Sequence, residues 1–316
     1  MIIHLSRVKF ALRSRSVLAF PNCDAGFKGS AWHGRIDNFI QRDAVLNNVL
    51  KKPRGSSASD RYLIDAPEDR TDSADGPFSR ADYPAGLQFE LSIVVAQAPL
   101  DRTSGIVSRL IQAVSQAGNA DGAAFRGTFD IESTHVDSFP LIQLAPATIF
   151  PAQNTAVLRV AFHTMLRLGG GDHLDAAKAA LRQSMQTVPS VNALTESLIR
   201  RAEAFEICAD PAFISGLASL KERLHSAPTI RVDRASVAPF DVNRLSANAN
   251  ITLPIGGLLG EVSYAGPSKL LADLYPLFKL GEWIRLGQKT GLGLGRIRVS
   301  IAPGQTIQSD TPRGIH

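Results

Sequence analysis

Along this chain the spacing of apolar residues switches repeatedly between every second and every third or fourth residue. The order of those switches constrains the fold more than any single motif. Ile3, Leu5, Val8 and Phe10 alternate with polar residues, which predicts a strand over 2–12. After a loop with Pro21 and Gly26, Ser30 is placed to cap a helix. Trp32, Ile36, Phe39 and Ile40 share one face of it. Residues 53–86 are rich in Ser, Asp, Pro and Gly and read as a loop excursion, interrupted by an apolar patch at 62–64. A strand (87–96), a helix (104–117, ended by Gly118) and a strand (125–136) follow. Strand, helix, extended pieces, strand, helix, strand is the βαββαβ order of a ferredoxin-like domain.

The order then recurs. A strand is expected at 156–168, with helices at 172–185, 191–205 and 211–225, a short strand at 229–232 and a strand at 257–264. A helix over 268–280 turns Leu270, Leu271, Leu274, Leu277 and Phe278 inward, and the last strand spans 296–301. The reading is α+β: two tandem ferredoxin-like (RRM-like) domains, 1–140 and 141–316, joined near 137–151.

No run of about 18 apolar residues exists, so no membrane span or membrane partner is expected. The basic, alternating N-terminus lacks the continuous apolar block of a secretory signal and is assigned to the fold. Cys23 and Cys208 are far apart and form no CxxC pair, which argues against a zinc site and a disulfide framework and fits a reducing cytoplasm. Net charge is +5, and the first 54 residues hold ten Lys or Arg against three acids. A concentrated basic excess points to a polyanionic partner, or to a solvated basic face.

A second basic cluster surrounds LGQKTGLGLGRIRVSI, residues 286–301. A P-loop needs its Lys-Thr after a glycine and before a helix, whereas here Lys289-Thr290 precedes Gly291 and a strand follows. The dinucleotide fingerprint opens a helix, and Gly291, Gly293 and Gly295 do not. Both nucleotide readings depend on the positive end of a following helix. Two readings stay open: glycines that admit a nucleic-acid backbone beside Arg285, Lys289, Arg296 and Arg298, or a tight turn into an edge strand.

The run 253–299, with its GGLLGEV, leucine-rich helix, LGEWIRLGQKT and terminal GLGLGR, resembles the C-terminal region of CRISPR-associated endoribonucleases that process precursor crRNA. These form the Cas6 family of the RAMP superfamily. FKGSAWHG, YPAGLQFELSIVVAQA, AAFRGTFDIESTHV, LRVAFHTMLRL and SLIRRAEAF extend a looser likeness over most of the chain. The resemblance implies two tandem ferredoxin-like domains and metal-independent cleavage inside the CRISPR repeat, with no cofactor. It further implies retention of the crRNA product, an association with other CRISPR effector subunits, and an RNA-backbone role for Gly291, Gly293 and Gly295. A non-catalytic crRNA-binding RAMP subunit is the alternative.

Metal-free RNA cleavage uses the ribose 2′-OH as nucleophile, and needs a base, an acid and cations around the phosphorane. The family places a histidine in or just after the first helix, and here that residue is His33. Lys28 and Arg35 flank it as candidate phosphate partners, and Asp37, one helical turn on, is placed to hold the imidazole protonated. The general acid is unassigned. His4 and His163 lie inside strand patterns and read as structural. Arg200 and Arg201, Arg13 and Arg15, and Arg285, Lys289 and Arg296 complete the candidate RNA contacts.

Overall fold

The computed structural model describes residues 4–21, 23, 26–51, 60–67, 78–79, 81–97, 105–120, 125–139, 155–168, 188–205, 211–226, 230–246 and 251–303. The helix expected at 172–185 and the boundary at 140/141 lie outside the described residues.

The first unit contains β1 (His4–Ser14), α1 (Gly29–Arg42), α2 (Ala44–Leu50), β2 (Tyr62–Asp65), β3 (Gln88–Gln97), α3 (Gly105–Asn119) and β4 (Phe129–Phe139). The sheet order is β2-β3-β1-β4, antiparallel throughout. Alternation sends Val8, Phe10 and Leu12 to one face of β1, where they meet Trp32, Ile36 and Ile40 of α1 and Leu110 and Val114 of α3. Ser30 does not cap α1. The helix begins at Gly29 with Lys28 in the cap position and no side-chain cap. Asp43 caps α2 instead, its carboxylate accepting from the amides of Val45 and Leu46 at 2.9 Å. The apolar patch inside the expected loop excursion is the edge strand β2.

The second unit contains β5 (Thr155–Leu166), α4 (Val191–Ala204), α5 (Pro211–Ser226), β6 (Arg231–Phe240), β7 (Asn243–Ser246), β8 (Ile251–Pro254), β9 (Gly257–Pro267), α6 (Ser268–Ile284) and β10 (Ile297–Pro303). Its order, β10-β5-β9-β6, repeats the permutation of the first sheet, so both units are ferredoxin-like. Leu271, Leu274 and Phe278 of α6 pack on Leu158, Val160 and Phe162 of β5. Sequence reading made β6 too short and missed the β7–β8 hairpin. β6 is an edge strand exposed along nearly its whole length, so backbone pairing rather than apolar alternation defines it.

The two units share a core. Leu5, Leu63, Val94 and Ala96, on the open face of the first sheet, join the second unit's apolar cluster. Their shared packing is what brings the N-terminal helix to the C-terminal loop. Among the described residues, no helix is long and apolar enough to cross a membrane.

Candidate active site and nucleic-acid interface

The glycine-rich loop is built on an unusual backbone. At the end of α6, Arg285 has φ 64° and ψ 169°, and Lys289 has φ 55°. The Arg285 conformation is one that side-chain-bearing residues rarely adopt, and holding it costs on the order of 1–3 kcal/mol. The guanidinium supplies the compensation. It is buried, at 2% exposure, and Nε donates to Asp65 Oδ1 at 3.1 Å while Nη2 contacts the same oxygen. Nη2 also donates to the Ile64 carbonyl at 2.7 Å, and Nη1 to the Thr290 carbonyl at 3.1 Å. One side chain therefore ties the loop to the end of β2 in the other unit. Burial pushes the Asp65 carboxyl up, but the charges of Arg285, Arg296 and Arg7 outweigh it and hold it below the usual carboxylate range.

Two of the three glycines are consumed by packing inside the protein. Gly295 has φ +74°, and a Cβ there would lie 1.8 Å from the Leu286 carbonyl oxygen. Gly293 has φ +98°, and its Cβ would press on the Gly29 Cα and Phe27 Cζ, each at 3.1 Å. Both are buried. In this structure they let the loop pack on Leu286 and on the start of α1. Gly291 is different. It is half-buried, and a Cβ on it would stand 3.8 Å from His33 Cε1 and 4.0 Å from Nε2. The 3-10 turn Thr290–Leu292 thus lies against the half-buried face of His33, with Lys289 exposed just before it. Residues at opposite ends of the chain form one site.

The structure separates the remaining candidates. Arg35 is 4% exposed and donates to the carbonyls of Ala117, Phe125 and Gly127 at 2.8, 2.7 and 2.9 Å, and also to Ala120. It closes the α3–β4 connection, with its guanidinium spent on those carbonyls. Two residues along a helix is more than half a turn, so Arg35 and His33 face different ways. Lys28 is 3% exposed, with Nζ donating to the Ser79 carbonyl at 2.7 Å and lying over the rings of Phe20 and Tyr83, so its ammonium is engaged inside the protein. Arg201 is 9% exposed and donates to the Ile284 carbonyl. Burial, then the charge of Arg285, pushes its guanidinium down to about 10. Arg201 and Arg285 brace α6 from inside, with their guanidiniums engaged within the protein. Arg200 is exposed and pairs with Glu196 at 3.8 Å. Arg13 pairs with Glu132 and Arg15 with Asp130, which neutralises that part of the first sheet.

Arg296 stays at the site. With Lys28, His163 and Arg285 it lines a cavity of about 30 Å³ between the units, room for one or two waters. Next to it, a polar cleft of about 470 Å³ runs between Gln88, Glu90 and Ser92 of the first sheet and Arg296 and Arg298. Register shows what sequence reasoning missed. Arg298 lies opposite Ala161, Arg159 opposite Ser300 and Ser263, Arg234 opposite Ser263 and Arg231 opposite Ala265. Directly paired residues project to the same side, so the open face of the second sheet carries four arginines. All four are exposed, and none forms an ion pair among the described residues. Alternation within each strand marks them as outward-facing, but only strand order assembles them.

Two tandem ferredoxin-like domains with a glycine-rich loop docked on the first helix define the class of fold. Within it, residues 160–297 match the family model of the CRISPR-associated endoribonuclease Cas6, a family of RNA-cleaving enzymes and the one the sequence resembles. A Thermus thermophilus Cas6 superposes with a TM-score of 0.52 at 13% identity, covering 95% of this chain and 100% of that one. In its product complex the same Cas6 gives 0.56 at 14% identity, with 94% and 100% covered. A partial Cas6-RT-Cas1–Cas2 complex gives 0.54 at 13% identity, with 95% of this chain and 46% of that one covered. No curated protein matches the sequence. At these identities the superpositions establish the fold.

Proposed function

We propose that this protein is an endoribonuclease that cleaves precursor crRNA within the CRISPR repeat and retains the product. The observation that carries this reading is the seating of the His33 imidazole against Gly291, beside the exposed Lys289. It rests on the Cas6 match as well. In the proposed reaction the 2′-OH loses its proton to a base, and its oxygen attacks the adjacent phosphorus. The P–O5′ bond then breaks, and the leaving oxygen takes up a proton. The products are a 2′,3′-cyclic phosphate and a 5′-hydroxyl. His33 is assigned a proton transfer, and Lys289 and Arg296 the charge of the phosphorane. The chemistry draws all its charge stabilisation from side chains and calls for no metal.

The test is incubation with a repeat RNA in EDTA. Cleavage leaving 2′,3′-cyclic phosphate ends is expected, and cleavage that requires added Mg²⁺ overturns the mechanism. Tight binding with no cutting under any condition selects the non-catalytic crRNA-binding subunit instead.

Binding draws on the arginine face. Each phosphate contact by a single strand contributes about 0.7 to the slope of log K against log salt. Replacing Arg159 and Arg298 together by Ala is expected to lower that slope by about 1.4 in filter-binding assays. Arg13→Ala, which removes a cation already paired with Glu132, leaves the slope unchanged.

A further inference from the structure

We propose that Asp37, Lys51, Asp60 and Tyr62 form a charge cluster that sets the protonation of His33, with Asp37 as the positioning residue and Lys51 as its attenuator. The inference rests on the reading of His33 as the proton-transfer residue and extends it to a part of the fold that touches no substrate.

Asp37 lies one turn after His33 on α1, on the same face. Its side chain is largely buried, and both carboxylate oxygens are engaged. Oδ1 accepts from Tyr62 Oη and pairs with Lys51 Nζ at 2.8 Å, and Oδ2 accepts from Gln41 Nε2 at 2.5 Å. Lys51 Nζ is also 2.9 Å from Asp60 Oδ2. Two carboxylates thus share one ammonium, so the cluster carries a net negative charge. Burial pushes the Asp37 carboxyl up, but its bonds to Lys51 and Tyr62 and the charge on His33 outweigh that and hold it below the usual range. Burial pushes the Lys51 ammonium down, and Asp37 and Asp60 more than reverse it. Burial, then Asp37, pushes the Tyr62 phenol far above its ordinary value, so it remains a donor. Asp37, Lys51 and Tyr62 are therefore each held in one charge state at neutral pH.

The Coulomb coupling is reciprocal: the imidazolium that favours ionised Asp37 is itself favoured by that carboxylate. Among the described residues, the cations beside His33 in sequence are Lys28 and Arg35, and the loop it faces carries Lys289. Lys28 on the same helix turns its ammonium to Ser79, and the glycine loop contributes Lys289 two residues before Gly291. Three elements hold the cluster: α1, the chain after α2, and β2, which also reaches the glycine loop through Arg285. The carboxylate is thus fixed relative to both walls of the site.

The test is NMR titration of the full-length protein without RNA, with the His33 signal assigned by its loss in His33→Ala. In Asp37→Asn the His33 midpoint is expected to fall by about half a unit or more. Lys51→Gln removes the ammonium that the two carboxylates share, and the midpoint is expected to rise. A loosened fold would not produce that opposite pair of shifts, and Lys51→Gln still reads the coupling if Asp37→Asn fails to fold. Unchanged midpoints, or shifts of the same sign, overturn the proposal. In cleavage assays, the limb of the pH–rate profile that His33→Ala abolishes should move with the NMR midpoint. Midpoints that shift as expected in a protein that cuts no repeat RNA would overturn the proposed nuclease function while leaving the cluster's effect on His33 intact.

Discussion

His33→Ala is expected to slow single-turnover cleavage of a repeat RNA by at least ~10²-fold while leaving RNA affinity nearly unchanged. Proton transfer by a placed side chain contributes on the order of 10²–10⁴ in rate. The substitution is suited to isolating that contribution. His33 is half-buried at the edge of α1's apolar stripe, while Trp32, Ile36 and Ile40, which hold the helix on the sheet, are fully buried and untouched. Gly291 contributes only backbone beside the ring, so truncation leaves no bulky side chain there to collapse inward. Single-turnover conditions matter because a retained product would mask the chemical step. An unchanged rate would take His33 out of the site and leave Lys289 and Arg296 as parts of a binding surface alone.

The largest expected effect on stability is at Asp65. Replacing it by Ala strips the partner from a buried guanidinium, and breaking a buried ion pair from one side costs about 3–5 kcal/mol. Here the Arg285 side chain keeps only the Ile64 and Thr290 carbonyls, and its strained backbone loses its main compensation. At about 2–4 °C per kcal/mol, a fall in Tm of roughly 6 °C or more follows, readable by calorimetry. Cleavage should fall further than folding does, because the same side chain fixes the turn that faces His33. Arg13→Ala, at an exposed pair, should change stability by less than about 1 kcal/mol. The contribution has a defined pH range. Asp65 titrates below its unfolded value, so its stabilisation is complete above about pH 4–5 and is lost only as acid protonates the folded carboxyl. A Tm of Asp65→Ala equal to that of the unaltered protein would show that the pair contributes nothing net.

The fold was legible where apolar spacing decides burial. β1, α1, β3, α3, β5 and α6 stand close to where periodicity put them, and the glycine loop leads into a strand, as its sequence context indicated. Residues whose role depends on a distant partner were not legible. Lys28 and Arg35 sit beside His33 in sequence, yet both are turned to carbonyls of other segments. Arg201 and Arg285 look like surface cations and are interior braces. Arg159, Arg231, Arg234 and Arg298 are scattered over 140 positions of sequence and become one face only through strand order.

By itself the sequence determined the order and type of the main core-forming elements and hence the doubled ferredoxin-like plan, because the periods of 2 and 3.6 are local properties of the backbone. It also placed one histidine at the margin of the first helix's apolar stripe. The tertiary structure alone decided which cations face solvent and what the glycines are for. An arginine's role follows from the acceptors within its reach, and those arrive from segments up to 275 residues away. The glycines of the loop record the same dependence: their missing side chains make room for Leu286 and for the start of α1, and so carry the loop to His33.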